Sequence, residues 1–170
     1  MSLIRKALRF ATKAHAGVFR KWTDGEPYIA HPARVAAMLA ELDFPDEVVA
    51  AAFLHDVVED TAYSNADLTA AFGPTVAALV AEVTNPSDIP KVPGNRPVRK
   101  AANKAHLARA SYAGASIKLA DMIDNATDIA TRSPKFAKRY LPEVADNLSV
   151  LGHGHPALLA RLANILNMTS

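Results

Sequence analysis

Four residues in this 170-residue chain are of the types that hold a divalent cation: His31, the adjacent His55 and Asp56, and the distant Asp121. Two imidazoles and two carboxylates make a neutral-plus-anionic nitrogen and oxygen set. Such a set suits Mn²⁺, Fe²⁺ or Zn²⁺, with water to complete the shell. His55 and Asp56 lie within AAFLHDVVEDT, Ala51 to Thr61, a stretch too apolar to bury unpaired charge cheaply. Singly, each candidate has an ordinary explanation: His31 as a helix cap, His55 as a core histidine bonded to backbone, Asp121 as a surface acid. As a set they are better explained by one ion. Neighbours on a helix point about 100° apart, so His55 and Asp56 share an ion only if it lies at the edge between them.

One turn beyond the doublet come Glu59 and Asp60. They exceed what an ion already holding Asp56 and Asp121 needs. Their better use is catalytic: to orient or deprotonate a water held by the ion and to protonate a leaving group. Crowded carboxylates raise one another's pKa, as a general acid near neutrality requires. The plain alternative, two acids at a helix C-terminal end, is electrostatically unfavourable. Arg20, Lys21 and Lys118 are candidates for holding phosphates, Arg by bidentate contacts and Lys as a mobile charge, against the blander reading of a solvated basic turn. Trp22 and Tyr28 are either base-stacking rings or core. Glycine-rich phosphate loops, HExxH and GxSxG are all absent from the sequence.

Helices must position these groups. Leu3 to Ala16 carries an apolar stripe of Leu3, Ala7, Phe10, Ala11 and Ala14, and Gly17 ends it. The loop GVFRKWTDGEPYIAHP turns at Asp24-Gly25 and places His31 as the N-cap of a helix starting at Pro32 and running to about Leu42. A central helix from about Pro45 to Val58 or Asp60 is apolar nearly all round, the mark of a buried element. Further helices are expected over Asn65–Phe72, with Ser64 or Asn65 as cap, and over Pro74–Val83. Thr84 to Pro97, with four prolines, reads as the one long loop, open as to whether it closes over the site. Helix resumes near Val98 towards Ser111, and Gly114 is a place to kink or stop. In Ile117 to Ala130, Leu119, Met122, Ile123 and Ala126 face the core, while Lys118, Asp121, Asn125 and Asp128 align on another face. Two closing helices, about Pro134–Leu151 and Pro156–Asn167, flank Gly152-His153-Gly154. The fold class is all-α, a single-domain helical bundle spanning residues 1–170.

Half the residues are hydrophobic, only 6% are aromatic, and cysteine is absent. That excludes disulfides and thiolate chemistry and favours a cytoplasmic protein. No apolar run approaches the ~18 residues of a membrane span, and the charged N-terminus is unlike a signal peptide. Between Arg34 and Lys91 there are ten acidic residues and no Lys or Arg, although the net charge is +2. An acidic centre with basic flanks fits a cation site bordered by anion-holding side chains. It fits nucleic acid poorly, because basic and aromatic residues are not interleaved.

Together, lone His31, the His55-Asp56 doublet and Asp121 resemble the skeleton of the HD-domain phosphohydrolases. FATKAHAG from Phe10, RKWTDGEPYIAHPARVA from Arg20, AAFLHDVVEDT from Ala51 and IKLADMIDN from Ile117 are similar to the hydrolase domain of RelA/SpoT proteins. They resemble most the small stand-alone hydrolases of that family, the metazoan SpoT homologue among them. The resemblance implies a single HD-type helical bundle. It makes His31, His55, Asp56 and Asp121 the ligands of Mn²⁺ and Glu59 and Asp60 the catalytic pair. Arg20, Lys21, Lys118, Asn125 and Asp128 take positions around a small-molecule substrate, a hyperphosphorylated guanosine nucleotide. The implied reaction removes pyrophosphate from the 3′ position of ppGpp or pppGpp. The rivals are another nucleotide phosphohydrolase, such as an NADPH 2′-phosphatase, a non-catalytic nucleotide sensor, and a helical interaction protein. Neither nucleic acid nor membrane is expected as a partner; self-association stays open. The chain departs from the family's K-L-A-D-R-L-H-N at Met122 and Asp124, and from its frequent Thr at Asp128.

Overall fold

Every residue from Val48 to Leu54 is buried, so the helix they form has no solvent face. This helix, α3 (Asp46–Leu54), starts after Pro45 with Asp46 and Glu47 in its first turn, where acids favour the helix dipole. Burying Val48, Val49, Phe53 and Leu54 contributes about 1.5–3 kcal/mol per side chain relative to exposure. In the computed structural model, which describes residues 1–86 and 96–168, the other elements are arranged around it. Helices α1 (Leu3–Ala14), α2 (Ala30–Ala40), α6 (Pro74–Val83) and α8 (Tyr112–Arg132) pack against α3. The short α4 (Val57–Asp60) follows it directly, and α5 (Asn65–Phe72) leans on α6. Next to α6 runs α7 (Arg96–Leu107), while α9 (Pro134–Leu148) and α10 (Pro156–Met168) cover another side of α8. Among the described residues the fold is all-α; extended pairing is confined to one isolated bridge, Phe19 with Pro27.

Two helices have the bounds expected from sequence. Ser64 caps α5 in a reciprocal capping box with Asp67, and Gly73, at φ 86°, ends it before Pro74 opens α6. Three expectations are corrected. The central helix is not continuous: it stops at Leu54 and restarts at Val57, with Asp56 at φ −96°, ψ −4° between the two. His31 is not the cap but lies inside the first turn of α2, because Ile29 already has helical angles and Pro32 is tolerated where N–H groups lack intrahelical partners. Gly114 neither kinks nor stops its helix but lies within α8. A Cβ there would collide with Glu82, whose carboxylate accepts hydrogen bonds from the Ser111 N–H (2.8 Å) and hydroxyl (2.6 Å). The loop expected over Thr84–Pro97 falls largely outside the described residues, and so does any closure by it.

Candidate metal centre

The break after Leu54 resolves the geometric difficulty of the doublet. His55 Nε2 lies 3.1 Å from Asp56 Oδ2, so the two neighbours face one point. From α2, His31 Nε2 reaches within 3.5 Å of Asp56 Oδ2, and from α8, Asp121 Oδ1 lies 3.2 Å from His31 Nε2 and 3.7 Å from His55 Nε2. His31, His55 and Asp56 each offer a ligand atom, all within 4.8 Å of one another. The donor chemistry fits a cation. His55 Nδ1 donates to the Ala52 carbonyl at 2.7 Å and His31 Nδ1 to Asp124 Oδ2 at 2.7 Å. In the neutral rings both Nε2 lone pairs are thereby turned towards the oxygens of Asp56 and Asp121, acceptor against acceptor, a conflict that either protonation or a bound cation relieves. His55 Nε2 is buried and has no hydrogen-bond partner. A positive charge at the centre removes the conflict; His31, His55 and Asp56 form a metal-binding cluster, with Asp121 beside it.

Protonation follows the same logic. Burial opposes charge on both rings, but their carboxylate neighbours outweigh it: His31 is pushed up to about 9 by hydrogen bonds to Asp121, Asp124 and Asp56, and His55 is also raised. Burial likewise opposes ionisation of Asp56 and Asp121, yet both are held well below the carboxylate range, Asp56 chiefly by His55 and Asp121 chiefly by Lys118. Lys118 Nζ bonds Asp121 Oδ2 at 2.8 Å and the Asn125 amide donates to Oδ1 at 2.6 Å, which fixes that carboxylate from behind. The Tyr28 hydroxyl donates to Asp56 Oδ2 at 2.6 Å.

Glu59 and Asp60 lie on α4. Both are raised, by burial first and only secondarily by the charge of Asp56, so desolvation rather than mutual crowding is the larger cause. Glu59 accepts from the Asn85 N–H (2.5 Å) and amide (3.1 Å). Asp60, at the exposed rim, lines a cleft of about 400 Å³ with His15, Arg20, Lys21, Trp22, Tyr28, Asn125 and Asp128 among its walls. Arg20 does not project freely into it: Nη1 bonds Asn125 Oδ1 at 3.1 Å and Nη2 bonds Asp128 Oδ2 at 2.9 Å. Trp22, at φ 60°, packs against Phe136 in a tilted arrangement with ring centroids 5.0 Å apart. Lys21 is exposed.

Two participants were not assigned a role from the sequence. Asn85 stands at the edge of the proline-rich stretch, and Asp124 was visible only as a departure from a motif. Nothing local joins Asp124 to His31, which is 93 residues away.

The fold and site define a helical bundle built around a histidine–carboxylate metal centre. The HD domain family model matches residues 7–148, and the chain belongs to the HD-domain family, as a homologue of the RelA/SpoT-type ppGpp hydrolases. It is 35% identical over 136 residues to the Danio rerio guanosine-3′,5′-bis(diphosphate) 3′-pyrophosphohydrolase MESH1, covering 79% of this chain and 73% of that protein. To the Escherichia coli bifunctional (p)ppGpp synthase/hydrolase SpoT it is 35% identical over 154 residues, 88% of this chain but 21% of the relative. A probable guanosine-3′,5′-bis(diphosphate) 3′-pyrophosphohydrolase of Synechocystis is 37% identical over 152 residues; the chain spans 20% of its length. The solved structure of a metazoan orthologue of SpoT that hydrolyses ppGpp superposes with a TM-score of 0.88 at 28% identity, covering 99% of this chain and 96% of the other.

Proposed function

We propose that this chain hydrolyses ppGpp and pppGpp to GDP or GTP and pyrophosphate, using one divalent ion held by His31, His55, Asp56 and Asp121. The observation that carries the reading is the convergence of both imidazole Nε2 atoms on two carboxylates in a buried cluster beside a cleft. Mn²⁺, with Fe²⁺ and Zn²⁺ as alternatives, supplies Lewis acidity there when bound, neutralising phosphoryl charge and acidifying water. The chain's own residues do the rest. Glu59 and Asp60 handle protons: one accepts a proton from the attacking water as its oxygen bonds phosphorus, and one protonates the ribose 3′ oxygen as the P–O bond breaks. Their upward shifts, caused by burial first, favour the protonated form the leaving-group step needs and make the ionised form a stronger base. Lys21, at the cleft, and Lys118, beside Asp121, neutralise phosphate charge. Asn125 and Asp128 hold Arg20 in a fixed orientation against the Tyr28 ring, 5.9 Å away, for contact with the nucleotide. A nucleotide substrate of this kind belongs to the cytoplasm.

A second reading, removal of a single phosphate such as the 2′-phosphate of NADPH, draws support from one feature. Arg20 is paired with Asp128, which leaves less positive charge for a pyrophosphate. Side-by-side turnover of ppGpp, NADPH and plain nucleotides by the Mn²⁺-loaded protein separates the two. The expected products are GDP and pyrophosphate from ppGpp; their absence would reject that substrate.

A further inference from the structure

We infer that Asp124 is a positioning residue for the metal centre: it fixes the tautomer and orientation of His31 by accepting its Nδ1–H, while Arg34 and, through it, Glu26 balance the charge of Asp124. The inference rests on the assignment of His31 to the ion. Asp124 is only 8% exposed, and its Oδ2 takes the Nδ1–H of a histidine that is itself 1% exposed. With Nδ1 protonated, His31 has one ring position left, and it faces Asp56 and Asp121. A carboxylate behind a ligating imidazole also raises its basicity, which strengthens the bond to a cation.

A buried acid in this place needs its own partner, and Arg34 provides it. Arg34 Nε bonds Asp124 Oδ1 at 2.5 Å and Nη2 bonds Oδ2 at 3.2 Å, while Nη1 reaches Glu26 Oε1 at 2.8 Å. Glu26 lies in the loop that carries Arg20, and the two are also tied through backbone, the Arg20 N–H donating to the Glu26 carbonyl at 2.8 Å. Asp124 therefore binds its histidine with one oxygen and is neutralised largely through the other. The acid at position 124, where the related motif has histidine, is matched by an arginine on α2 that faces it.

A purely structural Arg34–Asp124 ion pair and a positioning role for Asp124 predict different results. Mn²⁺ is titrated into metal-stripped wild type, Asp124→Ala and Arg34→Met, with affinity read by calorimetry and the metal-free Tm read in parallel. Asp124→Ala is expected to bind Mn²⁺ about 10–100-fold more weakly. Arg34→Met, which keeps the acceptor for His31, is expected to lose Tm while retaining affinity. Asp124→Leu replaces the alanine variant if that one does not fold, removing the acceptor while keeping a side chain branched at the same atom. Unchanged affinity in the Asp124 variants, or an equal loss in Arg34→Met, overturns the inference. Wild type that binds no Mn²⁺ overturns the metal-centre reading itself, a result distinct from either.

Discussion

The two histidines of the centre are held in different ways. His55 is oriented by main chain: its Nδ1 donates to the carbonyl of Ala52, three residues back, in a helix buried from Val48 to Leu54. His31 is oriented by a side chain from another helix, Asp124, whose charge is balanced by Arg34 and which is linked through it to Glu26. The first arrangement is built into α3 and no side-chain substitution removes its acceptor. The second rests on one side-chain acceptor from a distant part of the sequence, and a single substitution at Asp124 removes it. One half of the centre is therefore anchored by the core, and the other by a polar side-chain network.

Breaking the ligand set itself should have the largest effect. His55→Ala or Asp56→Ala is expected to abolish ion retention, with turnover falling beyond the ~10⁴-fold upper figure for a lost proton-transfer group; metal analysis of the purified variants checks this. Glu59→Gln should separate chemistry from binding, lowering kcat by about 10²–10⁴-fold while the ion content stays that of wild type. Leu54→Ala sharpens the main-chain half of the comparison. Leu54 is fully buried in α3, and its truncation should cost about 2–5 kcal/mol in denaturant unfolding. Because the acceptor for His55 is backbone, ion affinity of the folded fraction should change little.

The pH response is subtler and opposite in sign for the two states. In the metal-free protein His31 is raised from 6.5 to about 9, so its ion pairs stabilise fully below about pH 6.5 and that contribution is lost as pH climbs towards 9. Bound metal needs the deprotonated imidazole, so affinity should rise over the same interval. Metal-free Tm and Mn²⁺ affinity, measured from pH 6.5 to 9, should therefore move in opposite directions.

How far the sequence disclosed this depends on where each signal resides. Ser64, Gly73 and Pro74 act on their own neighbours, and the bounds of α5 and α6 could be read directly. The break at His55-Asp56 could not be. An all-round apolar run has no periodicity to interrupt, and the backbone turn that aims both side chains at one point leaves no compositional trace. The alignment of Lys118, Asp121, Asn125 and Asp128 on one face of α8 followed from helical spacing. That Arg20 is engaged by two of them depends on a contact more than a hundred residues long in sequence. Asp124 was hidden for the same reason: its value lies in His31 and Arg34, which only the packing of α2 on α8 brings to it.

Release of pyrophosphate from ppGpp by metal-stripped wild type, before and after addition of Mn²⁺, tests the central claim most directly. The account predicts no release in chelator and GDP with pyrophosphate in equal amounts once the ion is restored. Equal rates in chelator and in Mn²⁺, or no product under either condition, would contradict it.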